Sequence, residues 1–301
     1  MTAVATLRIG TRQSRLALAQ AAIAADVLQP LVGRPATIPI TTSGDTISAR
    51  QPNGRWIATD GQFTRELELA LLDRRVDLVV HSYKDLPTEP VEELVIGAVL
   101  ERADPRDCLV TRDGAGIEEL PFGARIGTSS PRRAAQLAAA RSDLIAMPIR
   151  GNVETRLRRL AAGHLDGLIL AAAGLDRLGI GAASATRLPL ELMLPAPAQG
   201  ALALQVRAED SALLAVLAGV EHAPTRIAVE AERLLLRRIG GGCLAPLGAL
   251  GEVDGDRLRL RAAFEDATGV HARADATGSA ADPDTVVDEV ARQIQPELAP
   301  A

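Results

Sequence analysis

Short apolar runs with β-strand character alternate with longer amphipathic runs over the first two thirds of the chain. In the longer runs, apolar residues recur every three or four positions, which is the spacing of a helix packed on one face. The first set of runs is TLRIG, SRLALAQAAIAADVL, ATIPITT, FTRELELALLDRR and VDLVV, and the second is ARIG, PRRAAQLAAA, DLIAMPI, VETRLRRLAA and DGLILAA. The alternation predicts an α/β fold with two doubly wound lobes that face one cleft, where ligands bind at the carboxyl ends of strands.

Helix boundaries in the second set carry clear local signals. Ser130 can cap a helix that has Pro131 at its first position, Asn152 can cap the next helix, and Gly163 can end it. The last third of the chain has a different pattern. After the helical run TRIAVEAERLLLRRI come GGGC, alternating runs around LGALGEV and RLRLRAAF, and a terminal helical run, which together predict a small α+β domain. Residues 267–284 are polar enough to be a mobile turn region.

Composition and charge narrow the classes of function. The 301 residues include 33 basic and 38 acidic side chains and carry a net charge of -5, so no basic excess indicates a nucleic-acid or membrane partner. The first residues lack a signal peptide's apolar region, and no apolar run reaches the roughly 18 residues of a membrane span. We therefore expect a cytoplasmic protein. Its two cysteines fit a reducing compartment, and neither lies at metal-ligand spacing from another ligand.

Arginine and small hydroxyl residues follow predicted strands at four places, just ahead of helices. The four segments are GTRQS (10–14), GTSSPRR (127–133), IRGNVETR (149–156) and AAGLDRLG (172–179). Because a guanidinium and a helix N-terminus both favour carboxylates, this repetition predicts a site for a substrate with many carboxylates. Arg12, Arg132, Arg133, Arg150, Arg156 and Arg177 are its candidate cations. The alternative is that each arginine is solvated or pairs with an acidic residue.

Lys84 and Asp85 lie in HSYKDLP, directly after the strand VDLVV, and Lys84 is the only lysine in the chain. A neighbouring cation can keep Asp85 ionised, so the aspartate can move protons or stabilise a developing cation. The alternative is a surface turn with an ion pair.

Cys243 ends the triplet Gly240, Gly241 and Gly242, which makes its thiol a candidate nucleophile or attachment point. The alternative is a glycine helix cap followed by a partly buried cysteine. Cys108 lies in the predicted strand DCLV and is expected in the core. The four histidines are dispersed, and no glycine-rich phosphate motif has the required spacing, so neither a metal site nor a phosphate loop is expected.

A series of motifs in a fixed order closely resembles the porphobilinogen deaminase family over nearly the whole chain. The motifs are IGTRQSRLALAQ, TTSGD, HSYKDLP, ERADPRDCLV, IGTSSPRRAAQL, IRGNVETRL, DGLILAAAGLDRLG, PAPAQGALALQVR and AERLLLRRIGGGCLAPLG. The resemblance implies two type II periplasmic-binding-protein-like lobes around a cleft, with the chain crossing between them twice, and a small C-terminal α+β domain. The expected division is 1–100 with 201–218 for the first lobe, 101–200 for the second, and 219–301 for the domain carrying the cofactor cysteine.

The resemblance also implies an activity: four porphobilinogens are joined head to tail with loss of ammonia, through an electrophilic azafulvene, and water releases hydroxymethylbilane. The primer is a dipyrromethane cofactor bound by a thioether to Cys243. Asp85 corresponds to the catalytic residue. Cofactor-side positions correspond to Ser82, Lys84, Thr128, Ser130, Arg132 and Arg133, and substrate-side positions to Arg12, Ser14, Gln20, Arg150, Arg156 and Arg177. The expected state is a monomer with a small-molecule substrate.

Two segments depart from the family's pattern. In RQPNGRWIATDGQFTREL, Phe63 fits, but the usual lysine positions align with Trp56 and Asp60. We expect residues 46–62 to be a mobile lid in which Arg55 and Trp56 perform the covering role. In PAPAQG, Ala198 stands where glycine is usual, which is expected to stiffen the connection between the lobes.

Two alternatives come from other classes of protein. A noncatalytic solute-binding module can use two α/β lobes and an arginine-lined site equally well, but it has no need of Cys243 on a glycine loop. The ligand-sensing half of a transcription regulator is the second alternative, but no helix-turn-helix segment precedes the lobes.

Overall fold

The computed structural model describes residues 6–42, 64–180, 185–240, 245–266 and 269–295. Within these ranges the strands are β1 (Arg8–Arg12), β2 (Ala36–Ile40), β3 (Leu78–Ser82), β4 (Leu94–Val99), β5 (Asp107–Thr111), β6 (Arg125–Gly127), β7 (Ile145–Met147), β8 (Gly167–Ala171), β9 (Ala185–Arg187), β10 (Leu202–Arg207), β11 (Leu247–Asp254), β12 (Arg257–Glu265) and β13 (His271–Ser279). The α-helices are α1 (Arg15–Val32), α2 (Arg65–Leu72), α3 (Pro131–Ala140), α4 (Val153–Ala161), α5 (Ala172–Arg177), α6 (Ser211–Leu217), α7 (Ala223–Arg238) and α8 (Pro283–Ile294). Single 3-10 turns lie at Tyr83–Asp85, Ile117–Glu119 and Ala218–Val220.

Two five-stranded sheets have the same pattern of strand directions. The first has the order β2-β1-β3-β10-β4, with β1, β2 and β3 parallel and β10 antiparallel to both of its neighbours. The second has the order β7-β6-β8-β5-β9, in which β6, β7 and β8 are parallel and β5 is the antiparallel strand. In each sheet the outermost strand, β4 or β9, runs in the same direction as the three parallel strands, so the carboxyl ends of four strands lie at one edge. The prediction of an α/β fold with a small C-terminal α+β part is confirmed.

The chain divides into two compact units, residues 1–102 with 201–226 and residues 103–200 with 227–301. Strand β10 comes from the segment that returns to the first unit, so this sheet is completed only after the second sheet has been formed along the chain. The second unit contains both the second five-stranded sheet and the C-terminal sheet β11-β12-β13. The division into three domains with a boundary at residue 219 stays a prediction.

Helix α1 begins and ends where local chemistry predicts. Ser14 has an extended backbone, and its side chain accepts a hydrogen bond from the amide of Ala17, while Gly33 follows the helix with a positive φ of 74°. One face of the helix packs against the first sheet and buries Ala21, Ala24 and Leu28. The spacing of these residues matches the helical period, which explains why the sequence pattern located this helix.

Among the described residues, α1 is the one helix that is long and apolar enough to cross a membrane by itself, and the bent pair Ser211–Val220 and Ala223–Arg238 passes the same test jointly. The test considers length and composition alone, and core helices of folded domains also pass it. One face of α1 packs on β1 and β3 and contributes to a hydrophobic core, and 28% of the tested window is buried.

The predicted caps of the second set are also confirmed. The side chain of Ser130 accepts a hydrogen bond from the amide of Arg133 at the start of α3, and that of Asn152 accepts one from Thr155 at the start of α4. Gly163 follows α4 with a φ of 78°. These caps fix the points at which the loops after β6 and β7 turn into helices.

The C-terminal region is an antiparallel meander of β11, β12 and β13 against which α8 packs. The prediction of a mobile turn region over residues 267–284 is wrong, because residues 271–279 form strand β13. This edge strand pairs along its length with β12, and Ala274 is buried in the core. The small and polar residues of this segment lack the apolar alternation from which a strand is predicted. A strand with few apolar side chains can still be stabilised by pairing with its neighbour and by a helix that covers it.

Candidate active site

The carboxyl edge of the first sheet holds the candidate residues of the first unit. Arg12 ends β1, Ser82 ends β3, and the parallel pairing of these strands brings their ends to the same edge. The side-chain amide of Gln20, buried in α1, donates a hydrogen bond of 2.7 Å to the hydroxyl oxygen of Ser82. The structure therefore brings Gln20 and Ser82 together although 62 positions separate them in the sequence.

The hydroxyl oxygens of Ser14 and Ser82 at this edge each accept a hydrogen bond from an N–H group, so their O–H groups can still donate one. Ser14 accepts from the amide of Ala17 at 3.3 Å, and Ser82 accepts from Gln20. A serine oxygen that accepts an N–H group can still donate its O–H to another acceptor. Both hydroxyls are thus suited to donate to a carboxylate of a bound molecule.

Asp85 ends the 3-10 turn that follows β3 directly. The turn is anchored by Tyr83, which is buried and whose amide donates to the carbonyl of Ala201 at 3.1 Å. Asp85 itself is exposed, and its carboxylate makes no hydrogen bond or ion pair with any residue in the described ranges. The predicted alternative, an ion pair between neighbouring Lys84 and Asp85, is therefore not present. A rigid turn instead presents an uncommitted carboxylate at the carboxyl end of a strand.

The carboxyl edge of the second sheet is tied together by hydroxyl groups. The side chain of Ser129 donates to the carbonyl of Ile149 at 2.7 Å and accepts from the amide of the same residue at 2.9 Å. The hydroxyl oxygen of buried Thr128 accepts from the amide of Ser130 at 3.2 Å. These bonds join the loop after β6 to the loop after β7, and so place Ser130 and Arg150 at one edge.

Three partly buried guanidinium groups belong to this second edge. Arg150 lies in the loop after β7, and burial lowers its pKa. Arg156 donates from Nε to the carbonyl of Gly151 at 2.8 Å. Only glycine fits at position 151, because its φ is 99° and a Cβ there would lie too close to Thr155. Arg177 ends α5 and donates to the carbonyl of Gly200 at 2.6 Å, and burial lowers its pKa to about 10. Desolvated cations of this kind gain most from an anionic ligand.

Arg132 and Arg133 are buried, at 3 and 7 % exposure, and both bind one carboxylate that the sequence analysis missed. Arg132 Nη1 lies 2.7 Å from one oxygen of Asp107, and Arg133 Nη2 lies 2.6 Å from the other. Burial alone would raise the pKa of Asp107, but the two guanidinium groups outweigh it and hold that pKa well below its usual range. An acidic residue at the head of the apolar run CLV was the available signal, because a buried strand rarely begins with an unpaired carboxylate.

This buried cluster contains two cations and one anion, so it carries a surplus of one positive charge. Arg132 Nε is in addition a buried donor without a hydrogen-bond partner among the described residues. A buried surplus charge is costly unless an opposite charge is supplied. The cluster therefore fits a ligand that carries a carboxylate, and a dipyrromethane with acidic side chains meets that requirement.

Of the two cysteines, Cys108 lies within the described residues and Cys243 does not. Cys108 is buried in strand β5, as predicted, and burial raises the pKa of its thiol to about 11. Such a thiol is a poor nucleophile. Cys243 and the predicted lid residues Arg55, Trp56 and Phe63 lie outside the described residues. No group of histidine, cysteine, aspartate or glutamate side chains suited to a metal ion occurs in the described part of the chain.

The fold and these edges define a class of protein, an α/β protein whose strand ends carry guanidinium and hydroxyl groups, which are groups suited to carboxylates. The family description "Porphobilinogen deaminase, dipyromethane cofactor binding domain" matches residues 7–215, and "Porphobilinogen deaminase, C-terminal domain" matches residues 226–295. The chain belongs to the porphobilinogen deaminase family.

Curated relatives support this membership over most of their length. The porphobilinogen deaminase of Desulforudis audaxviator is 49% identical over 94% of this chain and 92% of its own. That of Roseiflexus sp. is 45% identical over 92% of both chains, and that of Acidothermus cellulolyticus is 49% identical over 90% of this chain and 82% of its own. The predicted activity, a transferase that forms hydroxymethylbilane with a dipyrromethane cofactor, is confirmed at the level of the family. The noncatalytic alternative is not favoured.

Solved structures add a more distant likeness. The periplasmic VFT2 domain of Bordetella pertussis BvgS is 13% identical, covers 70% of this chain and 85% of its own, and has a TM-score of 0.42. The extracellular-binding protein ytmK of Bacillus subtilis is also 13% identical, covers 72% and 90%, and has a TM-score of 0.39.

Proposed function

We propose that this chain condenses four porphobilinogens into hydroxymethylbilane on a dipyrromethane that is attached to Cys243, with Asp85 as the catalytic residue. The observation that carries the proposal is the buried surplus charge of Arg132 and Arg133, because an acidic ligand in the second unit would compensate it. When bound, the dipyrromethane would act as the primer and supply the free pyrrole carbon to which the first of the four units is added.

The candidate residues divide by what their side chains can do. We propose that Ser82, Lys84, Thr128, Ser130, Arg132 and Arg133 hold the cofactor, and that Arg12, Ser14, Gln20, Arg150, Arg156 and Arg177 serve the incoming substrate. Charge-assisted hydrogen bonds from guanidinium groups are strong and directional, which suits acetate and propionate groups. Two members support the site indirectly: buried Gln20 orients the hydroxyl of Ser82, and buried Thr128 orders the loop of Ser130.

Asp85 is suited to stabilise a cation that develops next to it. Its carboxylate is exposed and uncommitted among the described residues, while the buried side chain of Tyr83 fixes the turn that carries it. A fixed anion that need not reorganise stabilises a cationic transition state and accepts hydrogen bonds from pyrrole N–H groups. We propose both tasks for this one carboxylate.

The attachment of the cofactor to Cys243 is tested by intact mass under denaturing conditions. We expect the wild-type protein and the matched control Cys108→Ser to carry a covalent excess equal to one dipyrromethane, and Cys243→Ser to carry none. Burial of Cys108 in β5 is the reason to expect no contribution from its thiol. An excess that survives in Cys243→Ser and disappears in Cys108→Ser would contradict the assignment. A wild-type protein without any excess would contradict the proposed function.

We further propose that the protein acts as a monomer in the cytoplasm, on a small-molecule substrate and without a nucleic-acid or membrane partner. The net charge of -5 supports the absence of a polyanionic partner.

A further inference from the structure

Asp107 occupies a rigid and fully buried position. It begins β5, whose backbone is paired with β8 on one side and β9 on the other, and its carbonyl accepts from the amide of Leu188 at 2.8 Å. Its side chain is 0 % exposed. Because the backbone of Asp107 is fixed and its side chain is buried, the position of its carboxylate determines where the side chains that bind it must lie.

Each guanidinium of the cluster is fixed by Asp107 and by one backbone carbonyl. Arg132 Nη1 donates to Asp107 at 2.7 Å and to the carbonyl of Leu194 at 2.6 Å. Arg133 donates to Asp107 through Nε at 3.1 Å and Nη2 at 2.6 Å, and through Nη1 to the carbonyl of Ile169 at 2.9 Å. A long side chain with several rotamers is thereby restricted to one arrangement.

Gln199 completes the coordination of the carboxylate. Its side-chain amide donates to Asp107 at 3.0 Å and to the carbonyl of Pro105 at 2.8 Å. With Arg132, Arg133 and Gln199 all donating, both oxygens of Asp107 are engaged, so Asp107 is not itself a group for binding substrate. Its effect on a ligand can act only through the two arginines.

We propose that Asp107 is a positioning residue for the cofactor. It presets the guanidinium groups of Arg132 and Arg133 and cancels one of their two charges, so that the cluster is complementary to one carboxylate. This inference rests on the proposed function, since it assumes that the two arginines receive a carboxylate of the dipyrromethane. Without Asp107, two neighbouring cations repel each other and lose their common acceptor.

The test compares Asp107→Asn with a matched control, Asp104→Asn. Asp104 lies three residues earlier and also pairs with two arginines, Arg106 at 2.7 Å and Arg187 at 2.8 Å, but neither of these is a candidate for cofactor binding. The primary readout is the fraction of purified protein that carries the covalent mass excess. The second readout is the difference in melting temperature between the loaded protein and a cofactor-free form made in the Cys243→Ser background.

We expect Asp107→Asn to reduce the loaded fraction about tenfold or more and to shrink the difference in melting temperature, because the arginines no longer match the ligand. Asp104→Asn is expected to load as the wild type does, even where it lowers the melting temperature of both forms equally. Equal loading of folded Asp107→Asn and Asp104→Asn would overturn the inference.

A double variant decides the matter if Asp107→Asn does not fold. Arg133→Gln combined with Asp107→Asn leaves one cation and no anion, which restores the surplus of one charge. We expect the double variant to load less than Arg133→Gln alone, because Arg132 has lost its orienting partner. Loading equal to or above that of Arg133→Gln would mean that Asp107 only balances charge. Absence of the mass excess from the wild type would instead reject the proposed function.

Discussion

The contrast between the two thiols leads to a quantitative prediction for chemical labelling. Burial raises the pKa of Cys108 to about 11, so at pH 8 only about one molecule in a thousand carries the thiolate there. A thiol with an ordinary pKa near 8.5 is about one quarter ionised at that pH, which is about 250-fold more. Since only the thiolate attacks a disulfide reagent, ionisation alone should slow the labelling of Cys108 by about that factor, and its burial should slow it further.

Labelling with an aromatic disulfide reagent, followed by intact mass, checks this prediction. In the native, cofactor-loaded protein we expect no rapidly reacting thiol, because the proposed thioether would block Cys243 and because Cys108 is buried. In denaturant, one thiol should react. Loaded Cys108→Ser should show no reactive thiol even in denaturant, whereas Cys243→Ser should show one.

The pH dependence has a definite sign. Because the folded-state pKa of Cys108 is raised, its thiolate fraction increases about tenfold for each pH unit between 8 and 10, and the slow native labelling should accelerate with it. Rapid labelling of Cys108 in the native protein at pH 8 would refute the reasoning from burial. A second reactive thiol in the denatured, loaded wild type would refute the thioether at Cys243.

Two further substitutions test the catalytic site and the packing of the C-terminal sheet. Asp85→Asn should lower turnover by about a hundredfold or more while the covalent mass excess remains. The control Glu89→Gln makes an equal change of charge at another exposed residue nearby in the chain, and it should keep near-normal turnover in a steady-state assay. Gly251→Ala should lower the free energy of unfolding in urea by about 3 kcal/mol, because the added Cβ would lie 2.7 Å from the backbone carbonyl oxygen of Ala228 in α7. The control Gly116→Ala, whose Cβ would have no other residue's atom closer than 3.5 Å, should change that free energy by no more than about 0.5 kcal/mol. Equal stability of the two variants would contradict the predicted contact.

Local sequence signals were sufficient to predict the elements whose formation depends on residues close together in the chain. The apolar period of α1, the caps at Ser130 and Asn152, and the strand containing Cys108 were all predicted from neighbouring residues and are confirmed. These features depend on interactions over three or four positions, which the sequence displays directly. Strand β13 is the counterexample, because its formation depends on pairing with β12 rather than on its own residues.

The site divides in the same way. Motif order was enough to identify the family and to propose the residues that bind and react, because those residues follow strands at positions that a chain of this class must place at one sheet edge. What the motifs could not give is the state of each side chain. The sequence left open whether Arg132 and Arg133 face a ligand or pair with an acidic residue, and the structure shows that both pair with Asp107.

The sequence by itself thus determined the alternation of elements, their main boundaries and the family, since each is written in short-range patterns or in the order of motifs. Tertiary structure alone decided that β10 completes the first sheet after an intervening sheet, that Gln20 reaches Ser82, and that Asp107 neutralises one of two buried arginines. These contacts join residues 25 to more than 100 positions apart. Their partners are selected by burial and charge balance in the folded chain, which no local pattern records.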